Sequence, residues 1–260
     1  MPDPTVPQIL ILCGFGFLAS TLDAIVGGGG LISVPARFAV MPNAPAAALL
    51  ATNKFGSTCG ATAAVARYAK NGMIDWKVGG PIAVAAFLLS IGGAWAVTQV
   101  NPELIKPLVL VLLLGVLLYT LLRKSFGEAA TRIERPLWVG LSMGAALGFY
   151  EGFFGPGMGS FLVFGFITLY GFNFLQASGT GRLVNLAANL SALLYFLFNG
   201  FVILQLAVPM AVCMFAGGLF GSKLAITHGA KWVRLIFLVV VSAVISKFAY
   251  DILSQWLASR

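Results

Sequence analysis

Residues 22–35 read LDAIVGGGGLISVP, so an acidic side chain and four consecutive glycines stand inside an apolar region of the chain. A run of glycines interrupts a helix because glycine loses more backbone freedom on folding than any other residue. An ionised carboxylate such as that of Asp23 is costly in an apolar medium. The meaning of this stretch therefore depends on the solvent that surrounds it.

The composition indicates that this solvent is a lipid bilayer. Of the 260 residues, 59% are hydrophobic and 9% are charged, and the mean hydropathy is +0.95. A soluble domain carries about 25% charged residues. The formal net charge of +8 lies mainly in short loops between apolar runs, which is the positive-inside pattern and not a nucleic-acid-binding face. The sequence predicts an all-α polytopic membrane protein with about eight transmembrane helices.

The apolar segments divide the chain into two halves. A charged linker, RKSFGEAATRIERP at residues 123–136, separates a first half at 1–122 from a second half at 137–260. A span needs about 20 residues, so segments 31–41 and 160–170 are too short to cross alone and are either re-entrant or parts of broken crossings. The full set of apolar segments is 7–26, 31–41, 44–70, 77–98, 103–122, 137–154, 160–170, 174–199, 202–226 and 232–256.

The two halves resemble each other at an offset of 151 − 23 = 128 residues. The rare polar, glycine and proline positions align without a gap, which indicates an internal repeat. The aligned pairs are Asp23 with Glu151, Gly27 with Gly155, Gly29 with Gly157, Thr52 with Thr180, Lys54 with Arg182, Asn71 with Asn199, Pro81 with Pro209 and Gly93 with Gly221.

Loop charges predict that the repeat is inverted in the membrane. The loop after residue 70 is net basic, whereas the equivalent loop at Asn199 has no charge, and the next pair of loops reverses this difference. Equivalent loops then lie on opposite sides of the membrane. Counting crossings places the linker 123–136 in the cytoplasm and both termini outside.

Four charged residues stand near segment interiors or breaks, and they form two repeat-related pairs: Asp23 with Glu151, and Lys54 with Arg182. An uncompensated charge at mid-membrane costs at least about 2.5–3.5 kcal/mol. Each glycine-rich break precedes a short helix, expected to begin at Leu31 or Ser160, whose first N–H groups and positive dipole end attract anions.

These features predict one anion-binding cavity between two half-helix N-termini. The predicted substrate-binding residues are Lys54, Arg182, Thr52, Thr180, Asn53, Ser57, Asn185, Gly28, Gly29, Gly30, Gly157, Gly159 and Ser160, with Asn189 nearby. Two cations and several hydroxyl and amide donors suit an anion with several acceptor oxygens. Asp23 and Glu151 oppose anion entry while they are ionised, and they suit proton coupling.

Structural explanations of the same residues stay open. Lys54 with Asp23, and Arg182 with Glu151, could be static ion pairs that close each hairpin. The glycines could serve only close helix packing, although four in a row fit this poorly. Arg37 could snorkel to the surface or contact a ligand. Lys247 and Asp251 share a helix face and are interpreted as a structural pair.

No cofactor, metal site or enzyme activity is expected. Cys13, Cys59 and Cys213 lie in apolar segments without metal-ligand spacing, and the single His228 stands near a segment end. A transporter is the favoured function, with an anion channel as the alternative of another class. The sequence does not determine the oligomeric state.

Four motifs resemble those of the sulfite exporter TauE/SafE family of bacterial membrane permeases. They are DAIVGGGGLISVPA at 23–36, ALLATNKFGSTCG at 48–60, GFYEGFFGPGMGSF at 148–161 and SKFAYD at 246–251. The resemblance covers essentially the whole chain. It implies a multi-pass protein of the bacterial inner membrane that exports small sulfur-containing anions (sulfite, thiosulfate or organosulfonates) with the proton gradient. The family often has Lys where this chain has Arg182.

Overall fold

The structure is a computed structural model that describes residues 4–99 and 130–258; beyond residue 239 it describes the side chains of residues 242 and 246 only. The described residues form eight helices. They are α1 (Val6–Val26), α2 (Gly30–Val40), α3 (Ala46–Lys70), α4 (Trp76–Val97), α5 (Leu137–Phe153), α6 (Met158–Tyr170), α7 (Phe174–Phe198) and α8 (Leu204–Ala258). The expected segment 103–122, most of the linker and the expected Lys247–Asp251 pair lie outside the described residues or side chains.

The helix boundaries follow the apolar segments closely. The short helices begin at Gly30 and Met158, one and two residues before the expected Leu31 and Ser160. The backbone of α8 is broken at Gly229 (φ 78°, ψ −176°), between the segments expected at 202–226 and 232–256. A positive φ of this size favours glycine because other residues are strained there.

Four described helices have the length and hydropathy to cross a bilayer: α1, α4, α7 and the Leu204–Val239 part of α8. Helix α3 has 25 residues, which is also long enough, but it carries a cluster of polar residues from Thr52 to Thr58. Large apolar side chains such as Leu10, Trp95 and Val212 are exposed along the helices. Because lipid tails solvate such surfaces, these features belong to a multi-pass membrane protein.

Helices α1 and α2 form a hairpin that returns to the end where it began. The side-chain amide of Gln8, near the start of α1, donates to the carbonyl of Val40 at the end of α2 (3.0 Å). In the second half the amide of Ile133, just before α5, donates to the carbonyl of Tyr170 at the end of α6 (3.0 Å). The 11-residue α2 is about 17 Å long, roughly half of the hydrocarbon core. Both short helices are therefore the returning arms of hairpins.

The connections lie at two ends of the helix bundle. At one, here called the linker end, Arg132 pairs with Asp75 (3.2 Å) in the connection between α3 and α4. At the other, the opposite end, Met41 and Ala44 pack with Ile203 and Leu206. Helix α7 runs the length of the bundle between them, so the connections at 71–75 and 199–203 lie at opposite ends.

Packing between the halves is reciprocal. Helix α1 packs along α8, whereas α5 packs along α4; likewise α3 packs against α8 and α7 against α4. Glycines permit these contacts: a β-carbon at Gly221 would overlap the carbonyl oxygen of Thr21, and one at Gly93 would overlap that of Phe149. The hairpin of each half therefore packs on the fourth helix of the other half, which brings the two breaks together in the interior.

Candidate functional site

The two glycine-rich breaks contact each other through their backbones. Gly27 ends α1 in the left-handed region (φ 84°), and its N–H donates to the carbonyl of Asp23 (2.8 Å). Gly157 precedes α6 with φ 92°. A β-carbon on Gly159 would overlap the backbone of Gly27, and one on Gly30 would lie 3.0 Å from the Cα of Pro156. Glycine at 27 and 159 is thus required by conformation or by close approach.

Two buried ion pairs cross between the halves at this contact. The Nζ of Lys54 lies 2.6 Å from the Oε1 of Glu151, with side-chain exposures of 3% and 6%. Lys54 also donates to the backbone carbonyl of Glu151. The Nη1 of Arg182 donates to the Oδ2 of Asp23, and these side chains are 2% and 19% exposed.

The alternative in which Lys54 pairs with Asp23 and Arg182 pairs with Glu151, within each half, is wrong. Each cation binds the acid of the other half. The break of the second half packs against α3, so that a β-carbon on Gly155 would lie 2.8 Å from the Nζ of Lys54. Sequence separation alone carries no information about which break packs against which cation-bearing helix.

The two pairs differ in how completely their oxygens are satisfied. Asp23 accepts a second hydrogen bond from the amide of Gly29 (3.0 Å), and Arg182 donates to the Oδ1 of Asn185 as well (3.1 Å). The Oε2 of Glu151 and the Oδ1 of Asn189 are buried and have no hydrogen-bond partner in the described part of the chain. Unsatisfied buried oxygens are uncommon and mark places where a proton, water or ligand donor fits.

A small polar cavity lies beside the carboxylates. Its volume is about 20 Å³, enough for about one water molecule. It is lined by Asp23, Glu151, Asn53, Ser57, Asn185, Asn189, Gly27, Gly30, Gly155, Gly157 and Gly159. Neither Lys54 nor Arg182 lines the cavity, whereas Glu151 and Asp23, the acids that they pair with, do.

The structure separates the expected binding residues into two groups. Asn53, Ser57, Asn185, Gly30, Gly157 and Gly159 line the cavity, whereas Lys54, Arg182, Thr52, Thr180, Gly28, Gly29 and Ser160 do not. Sequence reasoning missed Gly27 and Gly155 as lining residues, and it placed Asn189, which also lines the cavity, only nearby. The signals were present, because the two glycines are repeat-equivalent and Asn189 follows Asn185 by one helical turn.

Thr52 and Thr180 serve as hydrogen-bond acceptors between the halves. The Oγ1 of Thr180 accepts from the amide of Asp75 (3.1 Å), and the Oγ1 of Thr52 accepts from the amide of Ile203 (3.1 Å). Both threonines are fully buried. These amides lie next to the starts of α4 and α8, so each threonine fixes the fourth helix of the other half. Ser160 likewise donates to the carbonyl of Val26 (3.4 Å).

Arg37 does not snorkel to the surface, since the residue is 0% exposed. Its Nη1 donates to the carbonyl of Ser33 (2.7 Å), one turn earlier in α2. The hydroxyl of Ser33 donates in turn to the Oδ1 of Asn53 (2.9 Å), which lines the cavity. Arg37 is therefore connected to the cavity wall through Ser33 and Asn53, and it lies toward the opposite end.

Among the described residues, no group of three or more His, Cys, Asp or Glu side chains could hold a metal ion. The three cysteines are free thiols. The chemistry of the described site is thus that of charge pairs, amides and exposed backbone.

Comparison with known proteins assigns the chain to a family. The sequence profile of the sulfite exporter TauE/SafE family matches residues 12–248. A probable membrane transporter protein of Sinorhizobium is 32% identical, with 96% of each chain covered. The probable membrane transporter protein YfcA of Escherichia coli K12 is 34% identical, over 93% of this chain and 89% of its own. A probable membrane transporter protein of Haemophilus influenzae is 31% identical, over 96% and 97%.

No solved structure matches the chain significantly. The family profile and the relatives nevertheless cover nearly the whole sequence, including both glycine-rich breaks and all four residues of the crossed ion pairs. The chain is therefore a membrane transporter of the sulfite exporter TauE/SafE family.

Proposed function

We propose that the protein is a secondary transporter of small sulfur-containing oxyanions or organosulfonates, coupled to protons. One observation carries the proposal: two buried ion pairs cross between the halves where the two helix breaks meet, around a small polar cavity. Buried charges inside a membrane protein mark substrate or ion pathways by default. The sulfur in the substrate comes from the family to which the chain belongs.

Anion binding at this site requires the ion pairs to open. The cavity holds about one water molecule, so an anion of four or more heavy atoms must displace side chains that line it. The strongest anion-binding groups are Lys54 and Arg182, and Glu151 and Asp23 cover them. The substrate therefore takes the place of a carboxylate on a cation. The first amides of α2 and α6, with Asn53, Ser57 and Asn185, supply further donors.

Proton coupling follows from this exchange. A carboxylate that loses its cation inside the protein is costly while it is charged, and a proton neutralises it. Protonation of Glu151 or Asp23 conversely releases the cation for the anion. By linkage, protons and anions promote each other's binding. Glu151 is the better candidate for the proton carrier, because its Oε2 has no hydrogen-bond partner among the described residues. Asp23, in contrast, still accepts a hydrogen bond from the amide of Gly29.

The two halves are proposed to be an inverted repeat that rocks around the site. The reciprocal packing of the hairpins and the matching Thr52 and Thr180 contacts support this relation. In transporters with inverted repeats, paired half-helices near the midplane commonly hold the substrate. With the linker end in the cytoplasm, both termini lie outside, and the protein resides in the bacterial inner membrane.

Transport assays in proteoliposomes test the proposal. The protein is reconstituted, a pH gradient is imposed, and uptake of sulfite, thiosulfate, sulfoacetate and chloride is measured. We expect at least one sulfur anion to accumulate against its gradient in a manner that depends on the pH gradient. Lys54→Gln should abolish this uptake, and Lys70→Gln, at the exposed end of the same helix, should not.

The assay separates the alternatives. Anion conductance that is independent of the pH gradient would identify a channel. If none of the four anions moves, the proposed substrate class is wrong. If Lys54→Gln transports as well as Lys70→Gln, the ion pairs have only a structural role.

A further inference from the structure

Arg37 is a buried cation without a countercharge in the described part of the chain. Its exposure is 0%. The described carboxylates at the membrane-embedded site, Asp23 and Glu151, pair with Arg182 and Lys54, and Asp75 pairs with Arg132 at the linker end. Glu134, the remaining described acid, is exposed just before α5. An isolated guanidinium in a membrane protein interior is unfavourable unless an anion compensates it.

One edge of the Arg37 guanidinium is open for a bidentate contact. Its Nη1 donates to the carbonyl of Ser33 (2.7 Å), whereas its Nε is buried and has no hydrogen-bond partner among the described residues. Within the same residues, its Nη2 contacts the thioether sulfur of Met214, a weak acceptor, at 4.0 Å. The Nε–H and Nη2–H groups of arginine form a planar fork that matches two oxygens of a carboxylate, sulfonate or sulfite.

A flexible side chain covers this edge. Met214 also packs toward α1 and α3: a β-carbon at Gly16 would lie 3.2 Å from its Cγ, and one at Gly56 would overlap its sulfur. Methionine is unbranched and readily changes conformation, so it can leave the guanidinium when a better acceptor arrives.

Arg37 lies between the cavity wall and the opposite end of the bundle. Ser33 connects Arg37 to Asn53 at the cavity wall, and Met41, one turn beyond Arg37, belongs to the opposite end. The repeat-equivalent residues of Arg37 and Met214 are Gly165 and Ala86 at the offset of 128, so the other half has neither. The first half therefore has a buried cation on the side of the cavity toward the opposite end, and the second half has glycine at the aligned position.

We propose that Arg37 is a second oxyanion-binding site, covered by Met214, on the route between the cavity and the opposite end. An anion leaving Lys54 or Arg182 would bind the Nε–Nη2 edge of Arg37 before release, or on entry from that side. This inference rests on the proposed function for the chemical class of the anion, and it adds a direction-dependent step to the path.

The test measures thermal unfolding in detergent with increasing thiosulfate, using a buffer with no other small oxyanion. Both cations of the central site are removed without leaving an unpaired charge by Lys54→Gln with Glu151→Gln and Arg182→Gln with Asp23→Asn. We expect this quadruple variant to retain part of the thiosulfate-dependent rise in Tm. Adding Arg37→Gln to it should abolish that remainder, and adding Arg37→Lys, which keeps the charge but lacks the fork, should reduce it.

The unfolding temperature without thiosulfate supplies an independent readout. An uncompensated buried charge destabilises the folded state, so Arg37→Gln should raise the Tm or leave it unchanged, whereas an arginine needed for packing would lower it. If Arg37→Gln leaves the thiosulfate effect unchanged in the wild type and in the quadruple variant, or if thiosulfate has no effect on either protein, the second site is refuted. A thiosulfate effect that requires Arg37 in a protein that transports none of the four anions would refute the proposed transport function and leave the site standing.

Discussion

Replacing Lys54 by Gln isolates the buried carboxylate of Glu151 and should make the stability of the protein depend on pH. In the wild type the two side chains are 2.6 Å apart and almost fully buried. Gln cannot compensate the charge, so the folded variant holds one proton on Glu151 that the unfolded chain lacks at neutral pH. The wild-type pair needs no such proton.

The magnitude follows from the proton. An unperturbed glutamate has a pKa of about 4.3. Keeping its carboxyl protonated costs about 1.36 kcal/mol for each pH unit above that value. At pH 7 the variant is destabilised by about 3.7 kcal/mol, within the range of about 3–5 kcal/mol typical of breaking a buried pair. At pH 5 the cost is about 1 kcal/mol. Because the folded variant binds more protons, its stability falls as pH rises.

Thermal unfolding in detergent at pH 5 and pH 7 measures this difference. For a protein of this size, Tm falls by about 2–4 °C for each kcal/mol of lost stability. We therefore expect the Tm of the variant to lie about 7–15 °C below that of the wild type at pH 7 and about 2–4 °C below it at pH 5. The matched control is Lys54→Gln with Glu151→Gln, which removes both charges and should show no added pH dependence. Equal Tm losses for Lys54→Gln at both pH values would refute the reasoning, because no proton would then replace the lost cation.

Three further predictions test other contacts. Gly159→Ala should prevent folding or anion transport, because the new β-carbon would overlap the other break. Gly14→Ala should be tolerated, because no atom lies within 4 Å of the new β-carbon. Equal behaviour of the two variants on gel filtration would contradict the close contact. Thr52→Val should lower the free energy of unfolding by about 1–3 kcal/mol, because the buried amide of Ile203 loses its acceptor. Thiosulfate affinity in binding assays should not change, and a loss of affinity would instead return Thr52 to the binding site. Single cysteines at the exposed Asn71 and Asn199 should react with an impermeant thiol reagent from opposite sides of the membrane, and labelling from one side would contradict the inverted topology.

Local sequence patterns predicted the helices well because each depends on nearby residues. The apolar runs predicted the helices, and the glycine-rich breaks predicted their interruptions at Gly27 and Gly157. The returning direction of the short arms was left open. Direction depends on contacts such as Gln8 with Val40, between residues 32 apart in the chain.

The sequence predicted which charged residues form the site but not which of them pair with each other. The four charged residues were identified because charges are rare in so apolar a chain. The alternative that paired them within each half is wrong, because packing between the halves decides whether Lys54 binds Asp23 or Glu151. Thr52 and Thr180 share a repeat position with the site, and only the structure reveals that their hydroxyls accept from Ile203 and Asp75.

The crossed ion pairs have a consequence for how the protein is made. Lys54 and Asp23 enter the membrane with the first half, but their partners lie 97 and 159 residues further along the chain. At about 5–20 residues per second, synthesis of those intervals takes roughly 5–32 s. Until then Lys54 and Asp23 lack the partners that they have in the folded protein, because Glu151 and Arg182 have not yet been synthesised. Neither half is thus a finished unit on leaving the ribosome, and insertion of the second completes the charge balance of the first.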